Sequence, residues 1–185
     1  MILPIYTYGQ PVLREEAVTI DKNYPELEKL VSDMFETMYN AEGVGLAAPQ
    51  IGLSIRLLVI DSDAISQSYP ECKDFKRIMI NPVITEHSSE TTTQEEGCLS
   101  FPGIHEKVTR SEKISVRYMD ESFNKHEEVV EGFAARIVQH EHEHLEGHVF
   151  IDNISPIRRQ LNKGKFSNLI KGNTPCDYKI KPAKQ

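Results

Sequence analysis

Cysteine is scarce in this chain. Of 185 residues only three are cysteines, Cys72, Cys98 and Cys176. They are odd in number and form no CxxC pair, which excludes a disulfide framework and a dithiol redox motif. No apolar run is long enough to span a bilayer. The opening Met1-Ile2-Leu3-Pro4-Ile5-Tyr6 has neither the basic n-region nor the apolar h-region of a secretory signal. A cytoplasmic protein is expected, with no membrane partner. Regular βαβ alternation is also missing, which argues against a parallel sheet. Glutamate is absent from residues 155–185, and that absence bears on the chemistry below.

What is present fits one globular domain, with 39% hydrophobic and 26% charged residues. The net charge of −7 is uneven. Residues 156–185 carry Arg158, Arg159, Lys163, Lys165, Lys171, Lys179, Lys181 and Lys184 against Asp177 alone. The rest is therefore more acidic than the total suggests. A basic tail on an acidic body suggests an anionic partner, although a solvated tail with no partner has the same composition. DNA is not expected.

Periodicity places the elements. Leu27, Leu30, Val31, Met34, Phe35 and Met38 recur at helical spacing, so residues 25–41 read as a helix stopped by Gly43. Residues 55–60 read as a strand, 62–76 as a loop, and 77–82 as a short strand ended by Pro82. Residues 83–95 read as one Thr-rich strand. Residues 114–119 should pair with 127–131 across a turn at 120–125. A helix should begin at Gly132 and close at Gly147. The fold class is α+β, mostly antiparallel sheets packed around a central helix.

That helix carries Gln139-His140-Glu141-His142-Glu143-His144-Leu145-Glu146-Gly147, which contains HExxH. Positions i and i+4 share a helix face, so His140 and His144 can reach one metal ion. Glu141 is placed to take a proton from an activated water. Phe133, Ile137, Val138 and Leu145 are spaced to pack this helix on a core. His142 points elsewhere, and His148 lies beyond the glycine.

A catalytic site of this kind needs a third protein ligand and an open position. The extended HExxHxxGxxH pattern requires His at 150, where this chain has Phe150. A downstream glutamate is ruled out by its absence from residues 155–185. The third ligand must come from upstream, and Cys98, His105 and His87 are the candidates. Elsewhere His87, His105 and His126 read as surface or strand histidines, and Arg110 as a partner in an ion pair. Arg136 reads either as the partner of a buried carboxylate or as a flank of a groove.

Three segments together resemble the peptide deformylase family: Gly43-Val44-Gly45-Leu46-Ala47-Ala48-Pro49-Gln50, Glu96-Gly97-Cys98-Leu99-Ser100 and the HExxH run. They stand in the family's order, over roughly residues 5–154. The resemblance implies a deformylase-like catalytic domain over residues 1–155, and the charge distribution makes 156–185 a basic C-terminal tail. It implies removal of the formyl group from the N-terminal formyl-methionine of new polypeptides, with release of formate. It selects Cys98, His140 and His144 as ligands of one divalent metal. Iron(II) is the native expectation, with zinc, nickel or cobalt also acceptable. Glu141 would be base and then acid. The Gln50 amide and the Leu99 N–H would donate to the developing oxyanion. Gly43, Val44, Gly45 and Leu46 would bind the peptide in extended form. Leu46, Phe101, Phe133 and Ile137 are candidates for a methionine pocket. Nascent chains are the implied substrate, and ribosomal RNA the implied partner of the tail. The family usually has Asp where this chain has Glu143, which should alter a hydrogen bond that holds a ligand in place.

Overall fold

A computed structural model describes residues 1–183; Lys184 and Gln185, counted above in the basic segment, lie outside the described residues. In chain order the elements are β1 (Ile5–Tyr6), α1 (Leu27–Asn40), β2 (Gly45–Ala47), β3 (Leu57–Asp61), β4 (Lys76–His87), β5 (Thr91–Gly97), β6 (His105–Ser111), β7 (Lys113–Met119), β8 (Lys125–Glu131), α2 (Gly132–Leu145), α3 (Pro156–Leu161), α4 (Lys163–Ile170) and β9 (Ile180–Lys181). One antiparallel sheet runs β2-β3-β4-β7-β8. A second is the antiparallel hairpin β5-β6, and a third is the parallel pair β1-β9. The α+β class with mostly antiparallel sheets is what the pattern predicts.

The run at β3 is apolar throughout because the strand is covered on both faces. Leu57 and Val59 join Val31, Met34, Met38, Leu46 and Ile80 in a cluster beneath α1. Leu58 and Ile60 point the other way, into a cluster with Met79, Val116, Ala134, Ala135 and Val138 beneath α2. A third cluster gathers Phe101, Ile104, Val108, Phe150 and Leu169.

Helix α2 is fixed at both ends. The Glu71 carboxylate accepts the Phe133 N–H at 2.8 Å and caps its N-terminus. Gly147 takes φ +74°, a left-handed conformation that glycine adopts without strain, and the His148 N–H returns to the Glu143 carbonyl at 2.9 Å. The hairpin of β7 and β8 also forms as expected, with Lys113 opposite Glu131 and Met119 opposite Lys125.

Three expectations need correction. Pro82 does not end its strand: β4 continues to His87 because the register slips between Ile80 and Val83. This bulge takes Asn81, at φ +50°, and Pro82 out of the ladder. The Asn81 side chain instead bonds the Ile20 N–H (3.0 Å) and carbonyl (2.8 Å). The single strand expected over residues 83–95 is two strand segments, split by a turn near Ser88–Glu90. Residues 156–183 are folded rather than a solvated tail. Ser155 Oγ accepts the Arg158 N–H to start α3, and Leu169 is fully buried. Arg158 and Asn162 meet the buried carboxylate of Glu106, Arg158 at 2.7 and 2.9 Å and Asn162 at 2.5 Å. No helix among the described residues is long and apolar enough to cross a membrane.

Candidate active site

The site is assembled from three places in the chain. Helix α2 contributes His140, Glu141 and His144, all buried. The turn after β5 contributes Cys98, which is half-buried. The 3-10 turn Ala48–Ile51, which follows β2, contributes Gln50, also buried.

One ligand atom from each of Cys98, His140 and His144 lies within 4.8 Å of the others. Cys98 Sγ is 3.4 Å from His144 Nε2. His140 Nδ1 lies 2.9 Å from Glu96 Oε1, which leaves Nε2 to face the cluster. This is how ligating imidazoles are usually oriented. Two buried side-chain polar atoms beside the cluster, Glu141 Oε2 and His144 Nδ1, make no hydrogen bond among the described residues. A thiolate and two imidazoles converging beside a carboxylate fit a divalent metal with one open position.

Glu96 anchors a polar network beneath the site. Arg110 donates to it through Nε at 2.6 Å and through a terminal nitrogen at 2.9 Å, and Arg136 donates at 2.6 Å. Arg136 also bonds the carbonyls of Val108 (2.8 Å) and Thr92 (2.7 Å). It is therefore the partner of a buried carboxylate rather than a flank of a groove. Burial would raise the Glu96 pKa, but His140 and Arg110 overcome it and hold the group at about 2. Glu143 continues the chain. It accepts from Arg110 at 2.9 and 3.2 Å and from Asn153 at 3.0 and 3.1 Å. The longer side chain at 143 thus reaches Arg110, so the network that joins it to Glu96 and His140 stays closed.

Glu141 stands apart from that network. Burial pushes its carboxyl up to about 7, with the His140 charge acting in the opposite direction. A Cβ built on Gly45 would sit 2.6 Å from Glu141 Oε1, so this carboxylate occupies the space left by the missing side chain. Gln50 is oriented from both ends. Its Oε1 accepts the Ala47 N–H at 2.9 Å, and its Nε2 donates toward Ser100 Oγ at 3.2 Å and Cys98 Sγ at 3.5 Å.

A cleft of about 760 Å³ opens over these groups, lined by Gly43, Val44, Gly45, Cys98, Leu99, Phe101, Ile104, His105, His140, Glu141 and Tyr178, among others. The edge strand β2 runs along it, with only β3 beside it in the sheet. Leu46 does not line it. The alternation of β2 turns that side chain into the core beneath α1, where it is fully buried. Phe133 and Ile137 sit in the cluster between α2 and the sheet that the cleft residue Val44 also joins, with Phe133 stacked on Tyr69 at 4.1 Å. Phe101 does line it.

His87, His105 and His126 are exposed strand residues, and His148 is exposed beyond the helix. His142 faces away from the cluster, near Arg56 and Glu146. The sequence assigned no role to Glu96, to Ser100 or to the Pro175–Tyr178 segment. For Glu96 the pattern carries no signal: it is the one buried position in an otherwise polar strand, and only the fold shows that.

The fold and site define an α+β protein with an HExxH helix and a Cys/His/His cluster under a peptide-sized cleft. A family model described as polypeptide deformylase matches residues 2–160. The peptide deformylase of Christiangramia forsetii is 45% identical over 188 residues, covering 98% of this chain and 96% of that protein. The crystal structure of peptide deformylase from Thermotoga maritima superposes with a TM-score of 0.76 at 43% identity, covering 84% of this chain and 99% of that one. A peptide deformylase structure from Plasmodium falciparum gives 0.81 at 37% identity, covering 91% of this chain and 95% of that one. The chain belongs to the polypeptide deformylase family. Members of that family are metal-dependent hydrolases that remove the N-terminal formyl group from new polypeptides, and this is the activity of the chain.

Proposed function

We propose that Cys98, His140 and His144 hold the metal, that Glu141 is the general base and acid, and that Gln50 and the Leu99 N–H stabilise the oxyanion during deformylation of formyl-methionyl chains. The observation that carries this reading is the convergence of the three ligand atoms within 4.8 Å beside the unpartnered Glu141 carboxylate. We take α2 as the central helix, carrying HExxH between the five-stranded sheet and the β5-β6 hairpin. A divalent metal bound there would activate a water and polarise the formyl oxygen.

The chain's own groups do the rest. Glu141, buried and with a pKa near neutrality, takes the proton of the attacking water and returns it to the leaving amine. Gln50 Nε2 donates without bringing a charge that would compete for the metal. The Leu99 N–H donates to no backbone or side-chain group among the described residues, which suits an oxyanion donor. Gly43 and Val44, which lead into β2, and Gly45, its first residue, offer an open backbone edge to an extended peptide. Phe101 and Ile104 supply apolar wall for the methionine side chain. Leu46 is left out of the side-chain contacts because it is core.

Iron(II) is the proposed resident metal, on the strength of the family resemblance; zinc, nickel and cobalt suit the same donors. Ribosomal RNA is the proposed partner of the basic C-terminal segment, through exposed Arg159, Lys163, Lys165 and Lys171.

The test is formate release from a formyl-Met peptide, set against the acetyl-Met peptide of the same sequence, with protein purified without oxygen and loaded with iron(II) or nickel. Rapid release from the formyl substrate alone is expected. Equal cleavage of the acetyl peptide would show that the cleft does not select a formyl group.

A further inference from the structure

The segment between α4 and β9 lies beyond residues 2–160, yet it reaches the site. The chain turns after α4 at Gly172, which takes φ +75°, and the Asn173 N–H bonds back to the Asn168 carbonyl at 2.9 Å. It then crosses the mouth of the cleft at Pro175, Cys176, Asp177 and Tyr178, all of them lining residues. Beyond the cleft it is tied down again. Ile180 and Lys181 pair with Ile5 and Tyr6, and Gln10 Nε2 donates to the carbonyls of Lys181 (3.2 Å) and Pro182 (2.9 Å). A segment fixed at both ends makes a wall rather than a loose flap.

One side chain of this strap takes hold of the turn that carries the proposed oxyanion donor. The Tyr178 hydroxyl donates to the Leu99 carbonyl at 2.7 Å. Burial pushes its phenol above the ordinary value, so it is a donor at neutral pH. The next carbonyl, that of Ser100, accepts the Tyr8 N–H at 3.0 Å, and the Cys98 carbonyl accepts the Phe101 N–H at 2.9 Å. Three successive carbonyls of the turn are therefore occupied: that of Cys98 shares its peptide plane with the Leu99 N–H, that of Leu99 fixes the plane after it, and the Leu99 N–H itself makes no hydrogen bond among the described residues. The Leu99 side chain is confined as well, since a Cβ on Gly43 would sit 2.7 Å from its Cδ1. An oxyanion donor works only if it is held where charge develops, and small misplacements are costly.

We infer that the strap Pro175–Tyr178 is part of the substrate site, and that Tyr178 is a positioning residue which fixes the Leu99 N–H for the oxyanion. This rests on the deformylase reading and on Leu99 as a donor within it.

The experiment has two arms on the full-length, metal-loaded protein. In the first, Tyr178→Phe keeps the ring and removes the hydroxyl. The expected result is a kcat about tenfold lower, with KM within about twofold. That is a fraction of the ~10²–10³ that outright loss of an oxyanion donor costs. Metal content and Tm should match wild type. Unchanged kcat, or a loss that tracks lost metal or lost Tm, would overturn the positioning role.

The second arm uses wild type and does not read turnover. Cys176 is half-buried in the strap. A saturating Met-initiated tripeptide, the reaction product, should slow its alkylation several-fold, as read by peptide mapping that separates it from Cys98. Alkylation at the same rate with and without the tripeptide would place the strap outside the substrate site. Wild type that releases no formate would instead sink the deformylase reading itself, and the positioning role with it.

Discussion

Each side chain at the centre of the site is defined by what surrounds it. Glu141 is free to titrate near neutrality because α2 buries it and no donor claims its second oxygen. Glu96, one layer below, stays ionised because His140, Arg110 and Arg136 surround it. Two glutamates therefore have opposite properties through their neighbours alone. The close approach of Glu141 to Gly45 gives a direct test. Gly45→Ala should displace the carboxylate and lower kcat by roughly 10²-fold, the scale of a misplaced catalytic group, with the metal retained. Steady-state kinetics alongside metal analysis would check this, and near-normal kcat would contradict the packing described here. At this scale much was legible from sequence. The i, i+4 histidines and the glutamate between them follow from helix geometry, whereas the choice of Cys98 needed the family resemblance. Glu96 was not legible, because its contact with His140 spans 44 residues and a Glu-Glu pair ending a Thr-rich strand looks solvated. The inward turn of the Leu46 side chain was not legible either, because a motif does not show which way a strand faces.

Elements carry the site through their ends and edges. The sheet holds β2 at its edge, α2 packs across one face, and the β5-β6 hairpin brings the cysteine turn to the helix. One ion-pair cluster ties three strands together: Arg77 on β4 donates to Glu128 on β8 at 2.9 and 3.0 Å, and Tyr118 on β7 meets the same carboxylate. Burial would raise the Glu128 pKa, but Arg77 and Tyr118 outweigh it and hold it below its ordinary 4.5. A carboxyl depressed by folding stabilises the protein above its unfolded pKa, and the contribution disappears as pH falls through the folded value. The difference in urea midpoint between wild type and Glu128→Gln should therefore be largest near about pH 6 and shrink toward about pH 3. A difference independent of pH would show that the cluster does not act through charge. Periodicity found α1, α2, β3 and the β7-β8 hairpin. It missed the continuation of β4, since a proline reads as a stop unless a bulge removes it from the ladder, and the bulge depends on Asn81 reaching Ile20.

At the scale of the whole molecule, the C-terminal segment changes most between sequence and structure. Its basic composition reads as a tail in solvent. Folding instead attaches Arg158 to Glu106, buries Leu169, and returns the chain to β1 across the cleft. None of this was legible, because the partners lie far apart in sequence: 79 residues separate Tyr178 from Leu99. Exposed Arg159, Lys163, Lys165 and Lys171 are the cations that the proposed RNA contact would use. Replacing Lys163 and Lys165 by Glu should weaken co-sedimentation with ribosomes at low salt without altering the cleft. Unchanged co-sedimentation would remove that partner.

The central claim is that one cluster binds the metal and one carboxylate beside it performs the proton transfers. The most direct measurement is formate release and metal stoichiometry, determined together for wild type and Glu141→Ala. The account predicts about one metal per chain in both proteins, with turnover in the variant lower by at least ~10²-fold, as for loss of a general base. Turnover that persists in Glu141→Ala with its metal in place would contradict it.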